Sequence, residues 1–193
     1  MKISYIIPQK EVDSQNYYWY QNSFTDSELG SLESSLQKLS FEKATTVGGG
    51  DETIRQSSIK WIPQHPQFEW LYEKLLAFAL EANQNLWEFD LWSIIEHIQY
   101  TEYYATQNGH YDWHQDIGPN NLSQRKLSIA IQLNDDYEGG EFQIWQGGKS
   151  YQTIPKGKGN VVVFPSYMMH RVTPVTSGTR KSLVLWLGGG RYR

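Results

Sequence analysis

Apolar residues recur at three- and four-residue spacing in two stretches of the first ninety positions and alternate over short runs afterwards, so the chain reads as helical first and strand-rich second. A short aromatic run, Tyr17-Tyr18-Trp19-Tyr20, reads as a strand ahead of the first helix. Thr25 and Glu28 have the spacing of a capping box, in which each side chain satisfies the other's free backbone N–H. A helix is therefore expected from Asp26 to about Leu39, with Leu29, Leu32, Leu36 and Leu39 on one apolar stripe. A second is expected from about Pro66, a residue suited to a first turn, to Asn83, with Phe68, Leu71, Leu75, Leu76 and Phe78 to Leu80 facing inward. Both are expected to brace one face of a sheet.

From Leu91 onward, β-rich runs alternate with turn signals at Gly109, Pro119-Asn120-Asn121, Asp135-Asp136, Gly139-Gly140, Gly147-Gly148, Gly157 to Asn160 and Ser177-Gly178. Many short strands at this spacing suit a double-sheet jelly roll, not a parallel α/β sheet. The fold class is thus mainly β with N-terminal helices (α+β): one domain over 1–193, with helical support over about 1–90 and a jelly-roll core over about 91–190. The polar Gly48-Gly49-Gly50 segment reads as a plain loop, with a lid as the alternative.

Composition narrows the chemistry. Hydrophobic residues make up 39% and aromatics 15% of the 193 residues, too much apolar surface for a disordered chain. Cysteine is absent, so any transition metal must be held by imidazole and carboxylate. The net charge is −4 and basic residues form no run longer than a pair, which argues against tight nucleic-acid binding. The first residues carry too short an apolar run for a signal peptide and no stretch is long enough to span a bilayer, so a cytoplasmic protein is expected.

His114 and Asp116 stand two apart, which on an extended strand puts both side chains on one face. Alone, such a pair is satisfied by an ordinary imidazole–carboxylate hydrogen bond. A second imidazole, His170, lies far downstream among short strands, and Arg180 follows it by ten positions on the next expected strand. Two imidazoles and one carboxylate form a facial triad that leaves positions open on an octahedral ion, as in non-haem iron(II) sites. The planar fork of Arg180, returned beside that ion, would suit a carboxylate. His65, His97 and His110 are assigned no role.

This order, HxD, a distant His and then a basic residue, resembles the 2-oxoglutarate-dependent iron(II) dioxygenases, and within them the prolyl 4-hydroxylase group, including bacterial and phage members. The resemblance covers Ile98 to Trp186. Tyr104, Gly109 and Tyr111 precede His114 in the family's order, Gly139-Gly140 resembles its central tight turn, and the string from His170 to Ser182 is close to intact. Gln132 stands where the animal members that regulate transcription carry a cosubstrate-contacting tyrosine.

The resemblance implies iron(II) on His114, Asp116 and His170, and 2-oxoglutarate gripped by Arg180 with help from Tyr104 and a contact from Gln132. It also implies dioxygen, and ascorbate as reductant. Oxidative decarboxylation to succinate and carbon dioxide would accompany hydroxylation of a C–H bond, foremost in a prolyl residue of a peptide or protein. Trp113 and Arg171 are the candidate substrate contacts. Two other readings stand beside this one. The same chemistry could act on a free amino acid, another small metabolite or a nucleobase, or the chain could be a non-catalytic jelly-roll metal- or ligand-binding module.

Overall fold

The structure is a computed structural model that describes residues 15–43 and 53–192. The Gly48 to Gly50 segment lies outside the described residues. In chain order the elements are β1 (Tyr18–Tyr20), α1 (Asp26–Leu36), β2 (Glu42–Lys43), β3 (Arg55–Gln56), β4 (Ser58–Ile62) and, after a 3-10 turn, α2 (Glu69–Leu86). Then come β5 (Leu91–Ile94), β6 (Ile98–Tyr104), β7 (His110–His114), β8 (Arg125–Gln132), β9 (Glu138–Gly139) and β10 (Phe142–Gly147). The last are β11 (Ser150–Thr153), β12 (Val161–Pro165), β13 (His170–Val172), β14 (Val175–Ser177) and β15 (Thr179–Gly189).

Two antiparallel sheets face each other, as the turn spacing predicts. The larger has eight strands in the order β1-β12-β8-β15-β6-β4-β2, with β5 also pairing β15. The smaller has five, in the order β11-β10-β13-β7-β3. Period-two alternation gives the large sheet two different faces. Leu183, Leu185 and Leu187 of β15, with Leu127, Ile129 and Ile131 of β8, pack against Leu29, Leu32 and Leu36 of α1 and Leu71 and Leu75 of α2. Arg180, Ser182, Val184 and Trp186, on the opposite parity of β15, line a cleft between the sheets.

The helices differ from expectation at their ends. Thr25 and Glu28 do form the capping box, but α1 stops at Leu36, and Leu39 reaches the core from the turn that follows. Pro66 to Phe68 is a 3-10 turn, and α2 runs on to Leu86. Leu80, expected inside, is 48% exposed, because the buried row passes through Leu75, Ala79 and Ala82.

The first ninety residues are also more than a helical support. β1 and β4 extend the large sheet, and β3 adds an edge to the small one through Arg55↔Tyr111 and Gln56↔His110. Among the described residues no helix is long and apolar enough to cross a membrane.

Candidate metal centre

The centre is built on the small sheet by β7 and β13, whose register pairs His114 with His170. From that pair the register runs to Tyr111↔Val172, three residues on β7 against two on β13, which marks a bulge. The bulge puts Tyr111 and His114 on the same face although they are three apart. Their rings stack with centroids 3.4 Å apart at 12°. Asp116 lies just past the strand, where its N–H donates to Ser166 O and its carbonyl accepts from Arg125 Nη1.

His114 Nε2 is 3.8 Å from Asp116 Oδ1, and His170 Nε2 is 3.7 Å from Asp116 Oδ2. The three ligand atoms lie within 4.8 Å of one another, the only such cluster among the described residues. Each imidazole has its other nitrogen on a backbone carbonyl, His114 Nδ1 on Asp112 O at 2.7 Å and His170 Nδ1 on Met168 O at 2.9 Å. A carbonyl only accepts, so both Nδ1 atoms carry the proton and both Nε2 lone pairs turn toward Asp116. This donor set fits a small divalent ion.

Burial, and then the neighbouring His170, push His114 down to about 3, which keeps it neutral at ordinary pH. Burial alone would raise Asp116, but the two imidazoles, the Ser128 hydroxyl at 2.6 Å and Arg125 together hold it below its usual value. The unfolded chain therefore binds a proton at His114 between about 6.5 and 3 that the folded metal-free chain refuses. Stability rises with pH wherever the unfolded state binds more protons. The metal-free protein is thus expected to lose Tm as pH falls through that window, and His114→Gln to flatten the loss; a thermal melt series in pH steps checks both.

A cleft of about 330 Å³ opens over these ligands, walled by Tyr111, Phe142, Phe164, Val172 and Val184. Arg180 also lines it, 3% exposed, its Nη1 donating to Ser182 Oγ at 2.9 Å. No carboxylate among the described residues pairs with it, and its buried Nε has no partner. A buried guanidinium without a counterion is costly unless a ligand supplies one.

The tight turn seats this side chain. Gly140 has φ +57°, and a Cβ there would stand 2.9 Å from Val175 Cγ2, 3.0 Å from Tyr137 Cε2 and 3.1 Å from Arg180 Cδ. Gly140→Ala is expected to cost about 1–3 kcal/mol through strain and crowding and to weaken carboxylate binding at Arg180. Comparing the variant's Tm and carboxylate affinity with those of the parent checks this.

Other expected residues fall differently. Arg180 pairs with Tyr103 across β6, so Tyr103, 4% exposed, shares its face, with the guanidinium 5.4 Å from the ring. Tyr104 takes the opposite face and gives its hydroxyl to Glu102. Gln132 faces inward, but its Nε2 donates to Tyr137 Oη and Asn134 O, one step behind the Arg180 seat. Trp113 and Arg171 meet each other, with the guanidinium 4.7 Å from the indole, outside the cleft. Arg171 Nε donates to Gln143 on the outer face of the small sheet. Neither lines the cleft, because each directly neighbours an inward-facing ligand on its strand.

The cleft lining also includes groups that no sequence motif announces. Arg125 grips Glu96 with two bonds, 2.6 and 2.5 Å, and lies 3.7 Å over the Trp186 ring. The Trp186 Nε1 is buried and unpaired. Arg55 reaches in from β3, bonded to Ser57 and Gln99 and 4.7 Å over Tyr111. The pair Arg125-Lys126, opening the strand ahead of Leu127, Ile129 and Ile131, was the one available signal. His110, at the start of β7, is bonded to Asn108 O and Thr53 O, and His65, at the start of the 3-10 turn, accepts from Gln67 N–H, so both are occupied away from the metal cluster.

Residues 98–188 match the model of the 2OG-Fe(II) oxygenase superfamily. A PKHD-type hydroxylase of Synechococcus sp. (strain CC9605) is 39% identical over 79 residues, which is 40% of this chain and 36% of the relative. One from Shewanella oneidensis is 49% identical over 63 residues, 32% of this chain and 28% of the relative. The matched segments thus span only 36% and 28% of these relatives' length.

Among solved structures, a prolyl-4-hydroxylase of Pseudomonas putida superposes with a TM-score of 0.71 at 20% identity, covering 91% of this chain and 94% of that one. A prolyl hydroxylase of Trichoplax adhaerens, in complex with a hypoxia-inducible-factor oxygen degradation domain peptide fragment, gives 0.74 at 16% identity, covering 90% and 84%. At such identities the likeness carries the jelly-roll fold.

Proposed function

The chain belongs to the 2OG-Fe(II) oxygenase superfamily, and from that premise we propose that it hydroxylates a C–H bond, foremost of a prolyl residue in a peptide or protein, with release of succinate and carbon dioxide. One feature carries the reading. The half-buried His114, the buried Asp116 and His170 and a buried Arg180 without a counterion line a single cleft, one group suited to a metal and the other to a carboxylate. A non-catalytic module with a structural ion would have no use for the second.

His114, Asp116 and His170 would hold iron(II), and Arg180 would hold the distal carboxylate of 2-oxoglutarate, with Tyr103 packed alongside. The bound iron supplies the activation of dioxygen that no side chain can supply. The protein's residues do the rest. Asp112 O and Met168 O fix the two imidazole tautomers, and the Ser128 and Ser166 hydroxyls, 3.0 Å apart, orient the carboxylate. Phe142 and Phe164 flank His170 at 5.6 and 4.7 Å and exclude water from its side. Ascorbate, as reductant, belongs to the same proposal.

The peptide substrate is supported by the prolyl hydroxylases among the structural neighbours and by the polar part of the cleft lining. There Glu96, Gln115 and Arg55 offer polar contacts to a backbone. Anaerobic addition of iron(II) and then 2-oxoglutarate tests the cosubstrate half. A weak visible charge-transfer band is expected, and an unchanged spectrum with no iron bound would sink the reading. Proline-containing peptides, scored by a gain of one oxygen in mass, test the substrate half.

A further inference from the structure

Two buried N–H groups without partners, Trp19 Nε1 and Arg180 Nε, belong to residues that line one small cavity. This cavity shares Ala130, Phe142 and Arg180 with the metal cleft but is lined by none of the three ligands. Its volume is about 20 Å³. A cavity needs roughly 10–15 Å³ to hold one water, so there is room for a single oxygen atom. Buried donors are nearly always satisfied, and two orphans on residues that line a cavity of that size point to one shared acceptor.

Trp19 reaches the inner face of the large sheet from the N-terminal strand, in register with Val162 and, through it, with Ala130. We propose that an oxygen acceptor fills this cavity, taking one hydrogen bond from Trp19 Nε1 and one from Arg180 Nε, and that Trp19 is thereby a positioning residue for the carboxylate clamp. Arg180 Nη1 is already bound to Ser182 Oγ. Fixing Nε as well sets the plane of the guanidinium and leaves its remaining edge for the cosubstrate. The oxygen is either a trapped water or one oxygen of the distal carboxylate itself. The proposal rests on the reading of 2-oxoglutarate as cosubstrate and extends it to the strand farthest from it in sequence.

Trp19→Phe keeps an aromatic ring and removes the donor nitrogen together with part of the indole's volume, so an oxalate control carries the distinction from general damage. Calorimetry on manganese-loaded protein compares 2-oxoglutarate with oxalate, which chelates the metal but has no distal carboxylate. The variant is expected to bind 2-oxoglutarate about tenfold more weakly, the worth of one hydrogen bond to a charged group, and oxalate as well as the parent does. In turnover its KM for 2-oxoglutarate should rise while kcat at saturation holds.

Equal 2-oxoglutarate affinity in variant and parent overturns the proposal, as does an equal loss for both ligands, which would mean general damage. A parent that binds oxalate but not 2-oxoglutarate overturns the cosubstrate reading and this proposal with it. Crystals of the parent with and without 2-oxoglutarate assign the oxygen: density in both is the water, density only in the complex is the carboxylate, and an empty cavity in both refutes the proposal.

Discussion

Replacing His170 by alanine is expected to abolish iron-dependent turnover and to leave the protein without its metal. The imidazole is 4% exposed, wedged between Phe142 and Phe164, and its Nδ1 proton is committed to Met168 O, so no neighbouring group can swing into its place. Removing it leaves Asp116 with one imidazole partner instead of two. Loss of an outer hydrogen-bonding partner alone typically costs 10–100-fold in metal affinity or activity, so loss of a ligand should exceed about 100-fold. Two measurements separate this from simple unfolding. Iron per protein after anaerobic loading should fall to background, while circular dichroism and Tm of the metal-free forms should stay close to the parent's, because β13 is a short strand held by backbone bonds to β7 and β10. A variant that kept its iron and its turnover would show that the metal binds elsewhere.

The cluster of His114, Asp116 and His170 was legible in the sequence because these are scarce residue types at a meaningful spacing. A chain without cysteine and with 5 histidines has few ways to hold a metal, and the pattern leaves one. The jelly roll was legible for a similar reason, since its turns announce themselves through glycine and asparagine. What was hidden is what depends on register. A strand moved by one residue presents its other face, so choosing Tyr103 over Tyr104 requires knowing that β6 pairs Tyr103 with Arg180. Only the assembled sheet fixes that.

The strands β3 and β4 escaped notice for a different cause. Arg55-Gln56 is two polar residues long, and Lys60 interrupts an apolar run. The structure absorbs Lys60 by turning its ammonium onto Leu36 O at the end of α1 and over the Phe41 ring. The outward placement of Trp113 and Arg171 could have been foreseen, since each is a direct neighbour of an inward-facing ligand. The Arg125–Glu96 grip could not, because its partners are 29 residues apart and meet only through folding.

Arg180 offers the sharpest separation of function from stability. A buried guanidinium with no counterion and an unpaired Nε burdens the ligand-free protein, and replacing a buried charge by an apolar side chain of similar volume is often neutral or stabilising. Arg180→Met is therefore expected to melt at the same temperature as the ligand-free parent or above it. Its affinity for 2-oxoglutarate should nonetheless fall steeply, since losing a bidentate charged contact costs about 2–5 kcal/mol, or roughly 30- to 5,000-fold. Arg180→Lys keeps the charge but loses the planar fork, and should fall between the two. Oxalate binding should be untouched in all three proteins, because oxalate lacks the distal carboxylate that Arg180 is proposed to hold. Calorimetric titration of the three proteins with both ligands, alongside their melts, separates the two roles: a variant that binds 2-oxoglutarate like the parent would remove the carboxylate role from Arg180, and a collapsed Tm in Arg180→Met would mean that the guanidinium serves the fold first and the cosubstrate second.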